Sequence, residues 1–256
     1  MLDLTTIKKN YPENIQAFER FLLKEYLQCK ILSIIFGSEY GNKLCFLGGT
    51  AIRLVYNSTR FSEDIDFDNF GLDERDFENL TQLIKRKMEL EGFEVEFRNV
   101  YKGAYRCYLR FTSLFVKMGL LGYEEEKILI QIDTIKQSYK YDSERYLLNK
   151  FDVFAHINVV PKDILLSKKI AAALERKTLK GRDFFDIVFL FSLTSPDYSY
   201  LKDKCSIKGL SDVKDRLLKV LNGVDMTKLA KDVQPFLFKP EEINRVVMFK
   251  EFISSL

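Results

Sequence analysis

The segment from Leu44 to Asp68 constrains the fold of this 256-residue chain more than any other feature. A short apolar run, Lys43–Leu47, predicts a buried strand, and Gly48-Gly49-Thr50 predicts a turn. Good helix formers follow at Ala51–Tyr56, and Ser62–Phe67 then alternates polar with apolar side chains. A strand, a glycine turn, a helix and a second strand in this order indicate a mixed α/β fold.

The same segment carries three features that suit a phosphate-bearing ligand. The Gly-Gly-Thr turn lets backbone approach a ligand closely, and free N–H groups at a helix start bind phosphate. Arg53 and Arg60 lie close in sequence and could neutralise a polyphosphate. Asp64 and Asp66 are two positions apart on a strand, so their carboxylates share one face and could share Mg²⁺ ions.

Each feature also has an ordinary structural explanation. Gly-Gly-Thr turns before helices are common, and an Asp-x-Asp pair on a strand is usually a solvated face opposite buried residues such as Ile65 and Phe67. The combination is more specific than its parts, because the Ser-x-Asp-x-Asp strand follows the glycine turn and helix at a short, defined interval.

The rest of the chain predicts a mixed α/β half followed by a helical half, with domains at 1–158 and 159–256. Leu72–Leu90 reads as an amphipathic helix with Asp73 near its N-cap. The remaining elements are a helix within Glu13–Phe36, strands at Phe93–Arg98, Arg106–Phe111 and Lys127–Ile132, and helices at Lys162–Lys177, Arg182–Leu193, Asp212–Leu221 and Glu241–Ser254.

Composition limits the cellular location and the side chains available for catalysis. The four cysteines show no metal spacing and are expected to be reduced, and no apolar run is long enough to cross a membrane, so we expect a cytoplasmic protein with no membrane partner. The single histidine, His156, leaves carboxylates, lysines and metal ions as the main catalytic resources. From residue 151 onward, the chain has 18 Lys and Arg and 14 Asp and Glu. This small basic excess weakly favours an acidic partner.

Two motifs in the chain resemble those of one enzyme family. Phe46–Arg53 reads FLGGTAIR and Arg60–Phe67 reads RFSEDIDF, while Arg182–Ile187, RDFFDI, follows a helix that contains Lys169-Ile170 and Ala172–Arg176. Together they resemble the AbiEii-type nucleotidyltransferase toxins of abortive-infection and type IV toxin–antitoxin systems, which include the MenT toxins. The resemblance covers roughly residues 15–193.

This resemblance implies a DNA polymerase β-like nucleotidyltransferase domain with a mixed sheet, whose active site the helical domain completes. It implies catalytic roles for Asp64, Asp66, Lys169 and Asp186. It implies nucleotide binding by Gly48, Gly49, Thr50, Arg53, Arg60, Ser62, Lys169, Arg182 and Asp183. It implies a Mg²⁺ or Mn²⁺ ion on Asp64 and Asp66, with Asp133 as a third carboxylate, although Asp133 could equally be a solvated strand end.

The expected reaction is transfer of a nucleoside monophosphate from an NTP to an acceptor, with release of pyrophosphate. By similarity to the MenT toxins the acceptor is expected to be the 3′ end of tRNA, in a phage-defence system with a cognate antitoxin protein. A protein hydroxyl or a small molecule remains an alternative acceptor, and a catalytically silent binding protein with the same fold remains an alternative function. Tyr101, Tyr105 and Tyr108 alternate with basic residues in a stretch that could bind single-stranded RNA, or could be an ordinary strand with an exposed Tyr/Arg face.

Overall fold

The computed structural model describes residues 1–119 and 127–256, and these form two compact units. Unit 1 comprises Met1–Tyr56 and Phe61–Val159. Unit 2 comprises Asn57–Arg60 and Val160–Leu256. The domains expected from sequence at 1–158 and 159–256 stay a prediction, and the inclusion of Asn57–Arg60 in the helical unit had no signal in the local pattern.

Unit 1 is built on a seven-stranded mixed sheet within the described residues, with strand order β3-β4-β5-β2-β1-β7-β6. Its strands are β1 (Leu44–Leu47), β2 (Ile65–Asn69), β3 (Glu94–Tyr101), β4 (Tyr105–Thr112), β5 (Ile128–Lys136), β6 (Glu144–Lys150) and β7 (Val153–Val159). Its helices are α1 (Leu4–Lys8), α2 (Glu19–Phe36), α3 (Gly48–Tyr56), α4 (Glu74–Leu90) and α5 (Leu114–Lys117). β2 pairs antiparallel with β1 and parallel with β5, so the central strands run in both directions.

Alternation along the strands gives the sheet one buried face and one polar face. Cys107, Leu109 and Phe111 of β4 are fully buried, as are Ile130 and Ile132 of β5. Helices α2 and α4 pack against this half of the sheet and against each other. The intervening residues therefore project from the opposite face, and these include the carboxylates that the sequence singled out.

Helix α4 follows the sequence signals for its start. Asp73 is the N-cap, its side chain accepts a hydrogen bond from the Asp76 N–H, and the Asp76 side chain accepts one from the Asp73 N–H. This reciprocal arrangement satisfies backbone donors that the first helical turn leaves without partners. Phe77, Leu80, Ile84 and Met88 then repeat at helical spacing and are buried.

Unit 2 is helical. Its helices are α6 (Lys162–Glu175), α7 (Gly181–Phe191), α8 (Tyr198–Cys205), α9 (Leu210–Val220), α10 (Met226–Ala230), α11 (Asn244–Val247) and α12 (Phe249–Ser255). α6 packs against α7, and the rings of Phe184 and Phe249 form a T-shaped contact with 4.9 Å between centroids. Asn57–Arg60 join this unit through a β-bridge from Arg60 to Leu237 and a hydrogen bond from the Phe238 N–H to the Thr59 carbonyl.

Three expectations from sequence need correction. Gly48–Thr50 form the first turn of α3 rather than a separate turn, because Gly48 accommodates a φ of +82° at the helix start. Strands β6 and β7 were missed, because the polarity of their residues does not alternate: apolar Leu147 and Phe154 are exposed. The expected helix Glu241–Ser254 is divided into a 3₁₀ turn, α11 and α12, with a non-helical ψ of 15° at Met248.

The cysteines are unpaired as expected, with Cys29, Cys45 and Cys107 buried and Cys205 half-buried. Within the described part of the chain, none of the helices combines the length and the apolar character that crossing a bilayer requires.

Candidate active site

The first element of the site is the contact between the start of α3 and strand β2. Leu47, the last residue of β1, lies opposite Asp66 of β2 in the antiparallel ladder. The backbone of Gly48 therefore passes directly beside the Asp66 carboxylate, and a Cβ at position 48 would collide with Asp66 Oδ2. Glycine is required at position 48 both by this close approach and by its positive φ.

The second element is a group of carboxylates on the polar face of the sheet. Asp66 of β2 and Asp133 of β5 are directly paired in the parallel ladder and are both half-buried. Asp64 immediately precedes β2, and burial together with the charges of Glu63 and Asp133 raises the pKa of its carboxyl group. Burial is the largest cause of this shift and the neighbouring carboxylates add to it, and a bound cation would oppose both.

Asp133 is held by two side chains that the sequence did not associate with it. Arg106 Nε lies 3.0 Å from Asp133 Oδ1, and Gln131 Nε2 lies 2.7 Å from Asp133 Oδ2. Arg106 is opposite Asp133 in the antiparallel β4–β5 ladder, so the contact follows directly from the strand register. The side chain of Arg106 is 44% exposed, which leaves this ion pair open to competition from solvent ions.

The donor set at this site suits a hard divalent cation. Within residues 1–119 and 127–256, no group of three or more His, Cys, Asp or Glu side chains is arranged to hold a metal by itself. Mg²⁺ is usually bound by one or two carboxylates together with water and substrate phosphates, so a complete protein cage is not needed. Asp64 and Asp66 provide such carboxylates beside the start of α3, where phosphates would be favoured.

Two further predicted residues, Thr50 and Ser62, take part in hydrogen bonds that stabilise the segment ahead of β2. The buried hydroxyl of Thr50 donates a hydrogen bond to the Asp64 carbonyl. Gln28 of α2 donates from Nε2 to the carbonyl of Ser62 at 3.1 Å and to that of Glu63 at 2.9 Å. These contacts position the carboxylates, while the predicted phosphate contacts of Thr50 and Ser62 remain predictions.

Arg53, predicted to bind nucleotide, lies in a buried ion-pair network of unit 1. Its Nε is 2.9 Å from Glu25 Oε2, and its side chain is 10% exposed. Glu25 also pairs with Lys150 and accepts a hydrogen bond from the Tyr11 hydroxyl at 2.8 Å. Burial alone would raise the pKa of Glu25, but Lys150 and Arg53 outweigh it and hold that pKa below its ordinary value. The network gives Arg53 a structural role, and its contact with nucleotide remains a prediction.

Unit 2 gathers four other predicted residues into one charged cluster. Lys169 Nζ lies 3.0 Å from Asp183 Oδ1 and 2.9 Å from Asp186 Oδ2. Arg60 binds Asp186 through two nitrogens, at 2.7 and 2.6 Å, and both side chains are buried. Arg176, which was not among the predicted site residues, lies 2.9 Å from Asp183 Oδ2.

The cluster combines the cations Lys169, Arg60 and Arg176 with Asp183 and Asp186, and the charge of Asp232 also acts on Arg60. Burial lowers the pKa of Lys169, but the charges of Asp186 and Asp183 outweigh it and raise that pKa above its ordinary value. Lys169 is therefore fully protonated at neutral pH and suited to binding phosphate as a point charge. Arg182, the remaining predicted residue, stacks over the ring of Phe236 at 4.9 Å.

Comparisons with solved structures show that the chain shares its fold with known proteins. The chain resembles a crystal structure of JHP933 from Helicobacter pylori with a TM-score of 0.54 at 20% identity, covering 93% of each chain. It also resembles the structure of a candidate nucleotidyltransferase from H. pylori with a TM-score of 0.54 at 18% identity, covering 91% of this chain and 94% of the other. No curated protein matches the sequence significantly.

The family comparison covers most of the chain. Residues 30–241 match the sequence profile described as nucleotidyl transferase AbiEii toxin, type IV toxin–antitoxin system. The matched range includes both the Gly-Gly-Thr and Asp-x-Asp segment of unit 1 and the Lys169 cluster of unit 2. The chain therefore belongs to the AbiEii family of nucleotidyltransferase toxins and is a nucleotidyltransferase.

Proposed function

We propose that this enzyme transfers a nucleoside monophosphate from a metal-bound NTP to the 3′ end of an RNA, with tRNA as the acceptor. The observation that carries the proposal is the contact of Gly48 with Asp66, together with the pairing of Asp66 and Asp133. It brings a helix start, which favours phosphate, next to carboxylates that suit Mg²⁺.

In unit 1 we assign the triphosphate to the backbone of Gly48 and Gly49 at the start of α3. Asp64 and Asp66 would hold Mg²⁺ or Mn²⁺, with Asp133 as a third carboxylate beside them. When bound, the ion neutralises charge on the phosphates and makes the α-phosphorus more electrophilic. Thr50 and Gln28 hold the segment that carries these carboxylates, so the site is positioned before substrate arrives.

The reaction forms one bond and breaks one. The acceptor hydroxyl oxygen bonds to the α-phosphorus, and the bond from that phosphorus to the oxygen bridging to the β-phosphate breaks. Pyrophosphate leaves with the electron pair, and the hydroxyl proton passes to a carboxylate of the same group. Positioning and charge neutralisation supply most of the acceleration in phosphoryl chemistry of this kind.

In unit 2 we propose that Lys169 contacts phosphate and that Asp183 and Asp186 hold its ammonium group in place. Support comes from the protonated ammonium group of Lys169 and from the family match. Replacement of Lys169 by Met should lower transfer at least 100-fold. The adjacent Lys168, which lies over the ring of Tyr200, provides a matched control, and Lys168→Met should retain activity.

The family match also supports a biological setting. A type IV toxin implies a cognate antitoxin protein, and we propose that such a partner restrains this enzyme in a phage-defence system. The basic excess of residues 151–256 agrees with an RNA acceptor.

A transfer assay with the purified full-length chain tests the proposal. Each α-³²P-labelled NTP is supplied with Mg²⁺, with and without total tRNA, and with Asp66→Asn beside the wild type. Asp203→Asn is the matched control, because Asp203 is exposed in unit 2 and pairs only with its neighbour Lys204 among the described contacts. We expect label on tRNA with the wild type and the control variant, and none with Asp66→Asn.

Other outcomes separate the alternatives. Label on protein or on a small molecule would reject RNA as the acceptor and retain the transferase. Absence of both transfer and NTP binding, in folded protein, would overturn the assignment of the site.

A further inference from the structure

We propose that the polar face of β3 and β4 binds the single-stranded end of the RNA acceptor, an inference that rests on the proposed function. We call the surface formed by Arg98, Tyr108 and Arg110 the acceptor face. Arg98 lies on β3, and Tyr108 and Arg110 lie on β4.

Strand register places these side chains together. Arg98 is directly opposite Tyr108 in the β3–β4 ladder, so the two project from the same face of the sheet. Arg110 is two residues further along β4 and therefore shares that face, while Leu109 between them is fully buried on the other. An aromatic ring is thus flanked by two guanidinium groups.

The acceptor face continues directly into the carboxylate group of unit 1. Tyr108 is paired with Gln131 of β5, and Gln131 binds Asp133. Asp133 is in turn paired with Asp66 of β2. Two strand spacings separate β4 from β2, which is about 10 Å, or roughly three stacked nucleotides. An RNA whose 3′ hydroxyl lies at the carboxylates can therefore place its preceding nucleotides on Tyr108.

Among the residues that the structure describes, this surface carries positive charge beyond that used in its ion pairs. Glu94 is paired with Lys117 at 2.8 Å and Glu96 with Lys127 at 3.0 Å, so these acidic side chains on β3 are already neutralised. Arg98 and Arg110 form no ion pair with any residue in 1–119 or 127–256. Their charges remain available to phosphate groups.

The chemistry fits single-stranded RNA better than a protein or a nucleoside acceptor. Proteins that bind single strands combine a basic surface along the backbone with aromatic rings on which bases stack. Arginines on exposed strands can also serve only to prevent edge-to-edge association. That explanation does not apply to Tyr108 and Arg110, because β4 is an interior strand of the sheet.

Binding of a 5′-fluorescein-labelled RNA of about ten nucleotides tests the proposal by anisotropy with the full chain. Tyr108→Ala should weaken RNA binding roughly 5- to 100-fold. Tyr108→Phe, which retains the ring, should bind RNA with the affinity of the wild type. The double variant Arg98→Gln/Arg110→Gln should reduce the slope of log affinity against log salt by roughly 1.4, about 0.7 for each arginine.

Matched controls remove general effects of charge and folding. Arg75→Gln/Arg145→Gln removes two exposed arginines on α4 and β6, outside the acceptor face, and should leave binding unchanged. Circular dichroism establishes that each variant is folded, and nucleotide binding is measured separately with a non-hydrolysable NTP.

The outcomes distinguish this proposal from the proposed function. If the wild type labels RNA but the Tyr108 and arginine variants bind and label it equally well, the acceptor face is wrong and the transferase stands. If the wild type binds NTP and labels only protein, both the acceptor face and the RNA acceptor of the proposed function are wrong. Selective loss of RNA binding, with NTP binding intact, is the expected result.

Discussion

The backbone of Gly48 lies so close to the carboxylate of Asp66 that no side chain can be added between them. Gly48 directly follows β1 and is the first residue of α3, and Asp66 lies on the neighbouring strand β2. This contact brings the free N–H groups of a helix start next to an acidic side chain that can hold a cation. The arrangement explains why glycine and aspartate are needed together at these positions, which are 18 apart in the sequence.

Replacing Gly48 by Ala tests that contact. We expect a loss of about 1–2 kcal/mol from the positive φ alone, a further loss from collision with Asp66, and at least 100-fold lower transfer. Gly103→Ala is the matched control, because Gly103 has a φ of +74° with open space around its Cβ position. Chemical denaturation and NTP titration of both variants measure the effect. Equal losses of stability, with NTP binding retained in Gly48→Ala, would contradict the prediction.

The pair of Arg60 and Asp186 should dominate the stability of unit 2. Both side chains are buried, so Arg60→Met leaves a buried carboxylate with only Lys169 and should cost about 3–5 kcal/mol. Arg176→Met should cost under about 1 kcal/mol, because Arg176 is 48% exposed and Asp183 retains Lys169. Urea unfolding compares the two variants, and similar midpoints would show that the buried pair contributes little.

The Glu25 network predicts sensitivity to acid. The pKa of Glu25 in the folded protein lies below its ordinary value of 4.5, so the unfolded chain takes up this proton first as the pH falls. The stability that Glu25 contributes is therefore present at neutral pH and is lost from about pH 5 downward. Glu25→Gln should be less stable at pH 7 and should show a flatter acid limb. Glu39→Gln, at an exposed loop position, should follow the wild-type profile.

Arg106 provides a test of whether Asp133 is a metal ligand. Arg106 donates a hydrogen bond to the Asp133 carboxylate, so a cation that binds Asp133 must compete with Arg106. Arg106→Gln should then bind Mn²⁺ several-fold more tightly, and Asp133→Asn more weakly. Calorimetric titration with Mn²⁺ measures both. Unchanged affinity in the two variants would remove Asp133 from the proposed ligand set, and Arg98→Gln controls for the loss of a nearby positive charge.

Local patterns were sufficient for much of the fold. The cap at Asp73 and the helical spacing of apolar residues predicted α4. Alternation around Ile65 and Phe67 predicted β2, but the strand begins at Ile65 rather than Ser62, so Asp64 lies just ahead of it and not on it. These signals are local, because capping and side-chain periodicity depend on residues only a few positions apart. The resemblance of two short motifs to a known family then led to the family that the profile match shows.

The partners of the charged residues were decided only by tertiary structure. Sequence placed Arg53 and Arg60 together as nucleotide ligands, yet Arg53 binds Glu25, 28 positions earlier, and Arg60 binds Asp186, 126 positions later. Arg106 was similarly unconnected to Asp133 until the register of β4 and β5 paired them. The sequence by itself determined which residues can be buried, helical or charged. Which charges meet depends on contacts between distant segments, because an ion pair forms wherever the packed backbone brings two side chains within reach.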